Sequence, residues 1–203
     1  TSDWLTSGRA SLDVSGTMRE YVLKVPDDYD ATKPYKLIFG WHWRGGSADN
    51  VAAGSVGGSP YYGLEALAAG SAIFVAPEGI DAGFANTDGR DIAFLRAMLA
   101  HFESTLCIDR QRIFSTGFSY GGMMSDAIGC EMADVFRAIA PMSGGLPSAE
   151  HDYSGCNEAN THPIAVWMSH GTSDLVGPIA DGRNARDLFV ARNQCQTQSS
   201  AVE

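Results

Sequence analysis

The chain has 203 residues, 44% of them hydrophobic, with 23 glycines and a formal net charge of −10. That length supports one well-buried core and is short for two. The acidic balance argues against nucleic acid as a partner, because a nucleic-acid binder neutralises phosphates with Lys and Arg. No run approaches about 20 consecutive apolar residues, so no segment reads as spanning a membrane. Four cysteines, Cys107, Cys130, Cys156 and Cys195, are spaced too widely for a zinc knuckle or a redox pair and read as disulfide partners or buried thiols. The opening Thr1-Ser2-Asp3 is what a processed secretory chain would show, and an artificially trimmed terminus would look the same.

In chain order, Ser15 to Val25 alternates apolar and polar residues and predicts an antiparallel edge strand, followed by a turn at Pro26 to Asp30. Lys36 to Trp43 is apolar on both faces and too short for a helix, which predicts a central strand covered on both sides. Residues 45 to 63 read as one long loop, then a short helix at Leu64 to Ala69 and a buried strand at Ser71 to Ala76. Asp88 to Leu106 sets Ile92, Leu95, Met98-Leu99, Phe102 and Leu106 at helical spacing. Strands follow at Ile113 to Thr116, Phe136 to Met142 and Pro163 to Ser169, and helices at Met123 to Met132 and Asp181 to Asn193. Residues 146 to 162 are polar and irregular. Alternating strand and helix without internal repeats predicts a single α/β domain with a mostly parallel sheet and helices on both faces.

The chemistry centres on Gly117-Phe118-Ser119-Tyr120-Gly121, set between a predicted strand and a predicted helix. This is the G-x-S-x-G pattern of a nucleophile elbow, in which a strained turn lifts the serine hydroxyl above the carboxyl edge of a parallel sheet. An ordinary serine in a glycine-marked turn is the alternative, and the strand-to-helix setting weighs against it. Ser119 is therefore the candidate nucleophile. Asp174, in the loop after the strand ending at Ser169, is the candidate acid that would orient an imidazole, its alternative being a turn or cap aspartate. The oxyanion donors are expected at the main-chain N–H of Tyr120 and at the Trp43-Arg44 turn, with His42 holding that turn. No histidine follows Asp174. His101 falls mid-helix, His151 and His162 lie in irregular segments, and His170 reads as a turn residue. A serine hydroxyl without a base is a poor nucleophile, so these 203 residues do not complete a triad.

The combination of YKLIFGWHWRGG at Tyr35 to Gly46, Tyr62-Gly63-Leu64, AIFVAPEG at Ala72 to Gly79, CIDRQRIFSTGFSYGGMM at Cys107 to Met124, VFRAIAPMSG at Val135 to Gly144 and HGTSD at His170 to Asp174 resembles the fungal secreted feruloyl esterases, type B, of carbohydrate esterase family one. The likeness runs from about residue 15 through nearly the whole chain. It implies an α/β-hydrolase fold and a secreted serine esterase that releases ferulic or related hydroxycinnamic acids from arabinoxylan or its oligosaccharides, with Ser119 and Asp174 as catalytic residues. No metal or organic cofactor is implied, and the oligomeric state is left open. The family's histidine lies in a further C-terminal stretch, so the resemblance implies a chain incomplete at its C-terminus. It also implies a Cys130–Cys156 disulfide, with the partners of Cys107 and Cys195 outside this chain. Trp43, Tyr61, Tyr62, Phe84, Phe118 and Tyr120 are candidates to stack on the phenolic ring, Trp43 and Tyr120 being best placed. The rival readings are an acetyl xylan esterase or polyhydroxybutyrate depolymerase, and, in another class, an inactive carbohydrate-binding or scaffold protein on the same fold.

Overall fold

The computed structural model describes residues 5–55, 58–145 and 162–196. Its strands are β1 (Gly8–Val14), β2 (Thr17–Lys24), β3 (Tyr35–Trp41), β4 (Ala72–Pro77), β5 (Ile108–Phe118), β6 (Ala138–Met142) and β7 (Ala165–Val166). They form one sheet in the order β1-β2-β4-β3-β5-β6-β7. β1, β2 and β4 pair antiparallel, and every pairing from β4 to β7 is parallel.

Each face of the sheet carries its own apolar cluster, because alternate side chains of a strand point to opposite faces. Leu37, Phe39 and Trp41 of β3 join Ile73, Val75, Ile113 and Ile139 under three helices: α3 (Arg90–Thr105), α4 (Tyr120–Glu131) and α5 (Ile179–Arg192). Ile38 faces the other way with Ala72, Phe74 and Ala76, under α1 (Ala48–Ala53) and α2 (Leu64–Ala68). Helices thus cover both faces, as the apolar runs require. The α3 stripe is buried as its spacing predicts: Ile92, Leu95, Met98, Leu99 and Phe102 are each at most 6% exposed. Burial of each such side chain is worth about 1.5–3 kcal/mol. Trp41 is fully enclosed, and its indole N–H donates to Ser115 Oγ at 3.0 Å, so the ring is buried without an orphan donor.

Three expectations change. β2 is not the edge of the sheet, because β1 pairs along its whole length through a two-residue turn at Ser15-Gly16, both at positive φ. Residues 45 to 63 are not one loop. Ser47 caps α1 by accepting the Asn50 N–H, and left-handed Gly54 ends it. The expected Pro163 to Ser169 strand is regular only over Ala165–Val166. Beyond that its backbone still follows β6, with Trp167 N donating to Ile139 O, Ser169 N to Pro141 O, and a parallel bridge between Met142 and Ser169.

The chain leaves β3 for β4 on one side and later returns to pair β5 on the other. In an open parallel sheet such a reversal opens a crevice at the carboxyl ends of the strands. The candidate residues collect there.

Candidate active site

β5 ends at Phe118, and α4 begins at Tyr120, leaving Ser119 alone between them at φ 56°, ψ −116°. This non-helical, left-handed backbone is strained for a residue with a Cβ. Ser119 N donates to Met142 O at 3.0 Å, and its own carbonyl accepts Met123 N at 2.9 Å. The glycines are needed by close approach. A Cβ on Gly117 would fall on Gly121, and one on Gly121 would fall on the Trp41 carbonyl oxygen. Ser119 is half-buried and makes no side-chain cap hydrogen bond.

The ends of β5, β6 and β7 are laced side by side. Ser119 N binds Met142 O, and the next residue, Ser143, donates its N–H to Ser169 O at 2.8 Å. Asp174 lies in the turn that follows Ser169. Its Oδ1 accepts Val176 N at 2.9 Å and Gly177 N at 3.0 Å. These main-chain donors hold the carboxyl below the usual Asp range, with lesser help from the adjacent His170 and Ser143. Asp174 therefore stands on the same rim of the sheet as Ser119, two strand ends away.

On the other side of Ser119, the turn after β3 is tied down. His42 is fully buried, with Nδ1 at 2.7 Å from Trp43 O and Nε2 accepting Gly79 N at 3.0 Å. Burial lowers its pKa, and both ring nitrogens are engaged, so His42 fixes the turn and has no nitrogen left for Ser119. Among the described residues, the N–H groups of Trp43 and Arg44 donate to no main-chain acceptor. The Arg44 guanidinium sits 5.5 Å from the centre of the Tyr120 ring, which brings the expected oxyanion residues together across the crevice. Tyr120 opens α4, where main-chain N–H groups point along the helix axis toward its N-terminus.

The other histidines are elsewhere. His170 gives Nε2 to Gly177 O at 2.7 Å and lies 3.9 Å from Asp174 Oδ2, bracing the acid's own turn. His101 lies on α3 beside Phe102, and His162 precedes β7 at the opposite end of that strand. His151 lies outside the described residues. Among the described residues no histidine is bonded to Ser119.

Of the aromatic candidates, Trp43, Tyr62 and Tyr120 are half-buried, and Phe118 is 43% exposed. Two are corrected by the fold. Tyr61 is 1% exposed and packs on Phe74 at 4.8 Å, and Phe84 is fully buried edge-on to Trp41. Their rings belong to the core and present no face to a ligand. Cys107 and Cys195 are free thiols, Cys130 is fully buried near the end of α4, and Cys156 lies outside the described residues.

Residues 74–203 match the phospholipase/carboxylesterase family. A probable feruloyl esterase C of Aspergillus niger is 50% identical over 182 residues, which cover 89% of this chain and 64% of that protein. Feruloyl esterase D of Neurospora crassa is 42% identical over 195 residues, covering 94% and 65%. A protein named feruloyl esterase B, from Piromyces equi, is 32% identical over 160 residues, so the similarity to proteins named C and D exceeds that to the B type expected from the motifs. The chain spans just under two thirds of the length of the first two relatives. In fold it superposes on a ferulic acid esterase from the anaerobic fungus Anaeromyces mucronatus with a TM-score of 0.70, over 94% of this chain and 80% of that one, at 19% identity. With an elbow serine at the switch point of a mostly parallel sheet, and a family match over its last 130 residues, the chain belongs to the phospholipase/carboxylesterase family of α/β hydrolases.

Proposed function

We propose that the protein is a serine esterase that releases ferulic or related hydroxycinnamic acids from feruloylated arabinoxylan, acting outside the cell. The observation that carries this reading is the shared rim: Ser119, half-exposed in its strained elbow, and Asp174 are joined through the hydrogen-bonded ends of β5, β6 and β7. The relatives named feruloyl esterase supply the acyl class.

Ser119 Oγ attacks the ester carbonyl as an imidazole removes its proton. The tetrahedral oxyanion is held by the Tyr120 N–H and by the Trp43-Arg44 turn, in a crevice where such donors act without reorganising. The imidazolium returns its proton to the sugar oxygen as the C–O bond breaks, and water then cleaves the acyl-serine by the same steps in reverse. Asp174, kept ionised by its main-chain donors, orients the imidazole. We place that imidazole in chain beyond residue 203. Supporting this are the length of the relatives, the place of β7 as the last strand of the sheet among the described residues, and the neighbouring side chains of Trp167, Leu175 and Val176, exposed at 63%, 97% and 93%. A Cys130–Cys156 disulfide, tying the end of α4 to the segment after β6, is part of the same proposal.

The test is hydrolysis of methyl ferulate by the natural full-length protein and by its Ser119→Ala variant. The variant is expected to lose at least a thousandfold in kcat, with its melting temperature within a few degrees of the parent. Retention of a substantial fraction of activity would move the nucleophile elsewhere. Intact mass of the natural protein, set against the 21.6 kDa of this sequence, tests the placement of the histidine.

A further inference from the structure

Beside Ser119, between α1, the backbone at Gly54 and Ser59, and the elbow, lies a slot of about 240 Å³. Its walls include Trp43, Val51, Tyr62 and Phe118, with Asn50 and Ser59 on its polar edge. Two of the walls are chain neighbours of the reacting groups: Phe118 immediately precedes the nucleophile, and Trp43 belongs to the oxyanion turn. A larger cavity, about 850 Å³, lies instead between β7 and α5, and none of these walls borders it.

The slot is rigid for reasons visible in its parts. Tyr62 takes a left-handed φ of 59°, and its hydroxyl donates to Trp41 O at 2.6 Å, so the ring stands as a fixed wall. Val51, 2% exposed, anchors the α1 side in the core. Gly54, at φ 71°, lets the outer turn close so tightly that a Cβ there would overlap the main chain of Ser59 and Pro60. Against these fixed walls, the Phe118 ring keeps 43% of its surface uncovered. Sites for drug-sized ligands run to about 300–1,000 Å³, so this smaller space suits one substituted ring and excludes a ring together with its sugar.

The polar edge is equally specific. The main chain of Asn50 serves α1: its N–H donates to Ser47 Oγ, and its carbonyl accepts from Gly54 and Ser55. Its side-chain amide makes no hydrogen bond among the described residues. A carboxamide offers a donor and an acceptor together, which matches a phenolic hydroxyl beside a methoxy oxygen. Aromatic walls take the flat faces of a ring, and an amide at the edge takes its oxygens.

We propose that this slot holds the aromatic ring of a hydroxycinnamoyl acyl group, and that the Asn50 amide reads the oxygen substituents on that ring. The identity of the acyl group rests on the esterase reading above. The location of its ring is a separate claim, since the chemistry at Ser119 fixes only where the carbonyl sits.

Two measurements on the natural full-length protein test it. In the first, kcat/KM is compared for methyl ferulate, methyl cinnamate, which lacks the ring oxygens, and 4-nitrophenyl acetate, which lacks the aromatic acyl group. Asn50→Leu is expected to lower the ferulate-to-cinnamate ratio about five- to tenfold, the effect of one lost hydrogen bond, chiefly through KM. Phe118→Ala is expected to lower the ratio of both aryl esters to the acetate by at least as much. An unmoved ratio in both variants overturns the assignment. In the second, free ferulate is titrated calorimetrically into the Ser119→Ala protein with and without Asn50→Leu, and a fivefold weakening is expected. Asn50→Gln keeps the amide and is expected to retain most of the discrimination, which a mere defect in α1 would not allow. If wild type hydrolyses none of the three esters while ferulate binds and Asn50→Leu weakens it, the esterase reading fails and the slot stands. If hydrolysis is normal while the ratios and the ferulate affinity ignore these substitutions, the slot fails and the esterase reading stands.

Discussion

A residue held at φ 56°, ψ −116°, as Ser119 is, costs about 1–3 kcal/mol and persists only where its neighbours leave no alternative. Here the constraint comes from both sides: the N–H is bound to Met142 O, and Gly121 presses α4 against the end of β3. Gly121→Ala would place a methyl group on the Trp41 carbonyl, which the buried strand has no room to withdraw. We expect a loss of about 1–3 kcal/mol or more in urea unfolding, together with a fall in kcat, because the Trp43 turn lies two residues beyond the displaced carbonyl. A variant with unchanged midpoint and kcat would show that the elbow is not clamped. Ser119 is legible in the sequence because five letters between a strand and a helix have a steric meaning. Tyr61 and Tyr62 are not separable in the same way. Both sit at positive φ, and this local twist sends the first ring into the core against Phe74 and leaves the second beside the slot. No pattern in a loop of glycines, serines and aromatics encodes that choice.

Between elements, a buried ion pair outside the site joins β2 to the start of α3. Arg19, 3% exposed, donates to Asp91 Oδ1 at 2.8 Å, and its guanidinium lies 4.4 Å from the centre of the Phe94 ring. Asp91 Oδ2 also accepts Asn86 N, and Asn86 Oδ1 in turn accepts Asp91 N and Ile92 N, so a single network satisfies the opening turn of α3. Arg19→Met strands a buried carboxylate and is expected to cost roughly 3–5 kcal/mol, whereas pairing it with Asp91→Leu should recover part of that loss. Urea denaturation of Arg19→Met, Asp91→Leu and the double variant distinguishes a coupled pair from independent contacts; a double loss equal to the sum of the two single losses would rule out the coupling. Such ties explain which elements are readable. The strands β3 to β6 and the helix α3 announce themselves by apolar periodicity, since burial on both faces or on one stripe leaves a pattern. β1 and α1 carry weaker signals: Ala10, Leu12 and Val14 alternate before the Ser15-Gly16 turn, and Ser47 and Gly54 bracket α1 as its caps. β7 is shorter than its apolar run, because such a run predicts burial but not how many of its residues find a partner on both sides.

Stability against pH belongs to the whole molecule, since it compares protons bound by the native and unfolded chains. Three groups in this fold have opposing demands. Asp174 binds its proton less tightly than in the unfolded chain, so its contribution is present above the ordinary Asp value of 3.8 and is lost as pH falls through its lower native value. His42, kept neutral by burial, likewise favours the native state less as pH falls below the ordinary 6.5. Asp126 acts in the other direction. It is fully enclosed on α4, accepts Gly145 N through Oδ2 at 3.0 Å, and leaves Oδ1 without a partner among the described residues, so burial raises its pKa well above 3.8. The native state therefore holds the Asp126 proton more tightly than the unfolded state does, and stability declines as pH rises from 3.8 through the raised native value. Asp126→Asn keeps an acceptor for Gly145 and removes the ionisation. The melting temperature of the variant minus that of the parent is thus expected to be smallest near pH 4 and to grow toward pH 8, while Asp126→Ala, which also abandons Gly145 N, is destabilised across the whole range. Because Gly145 lies two residues from Ser143, whose N–H is bound to Ser169 O, a carboxyl forced to ionise would disturb the loop that ties the end of β6 to the strand preceding Asp174. A difference between Asp126→Asn and parent that stays flat from pH 4 to pH 8 would mean that Asp126 ionises at no cost, and that the link between α4 and the loop after β6 does not depend on a neutral acid.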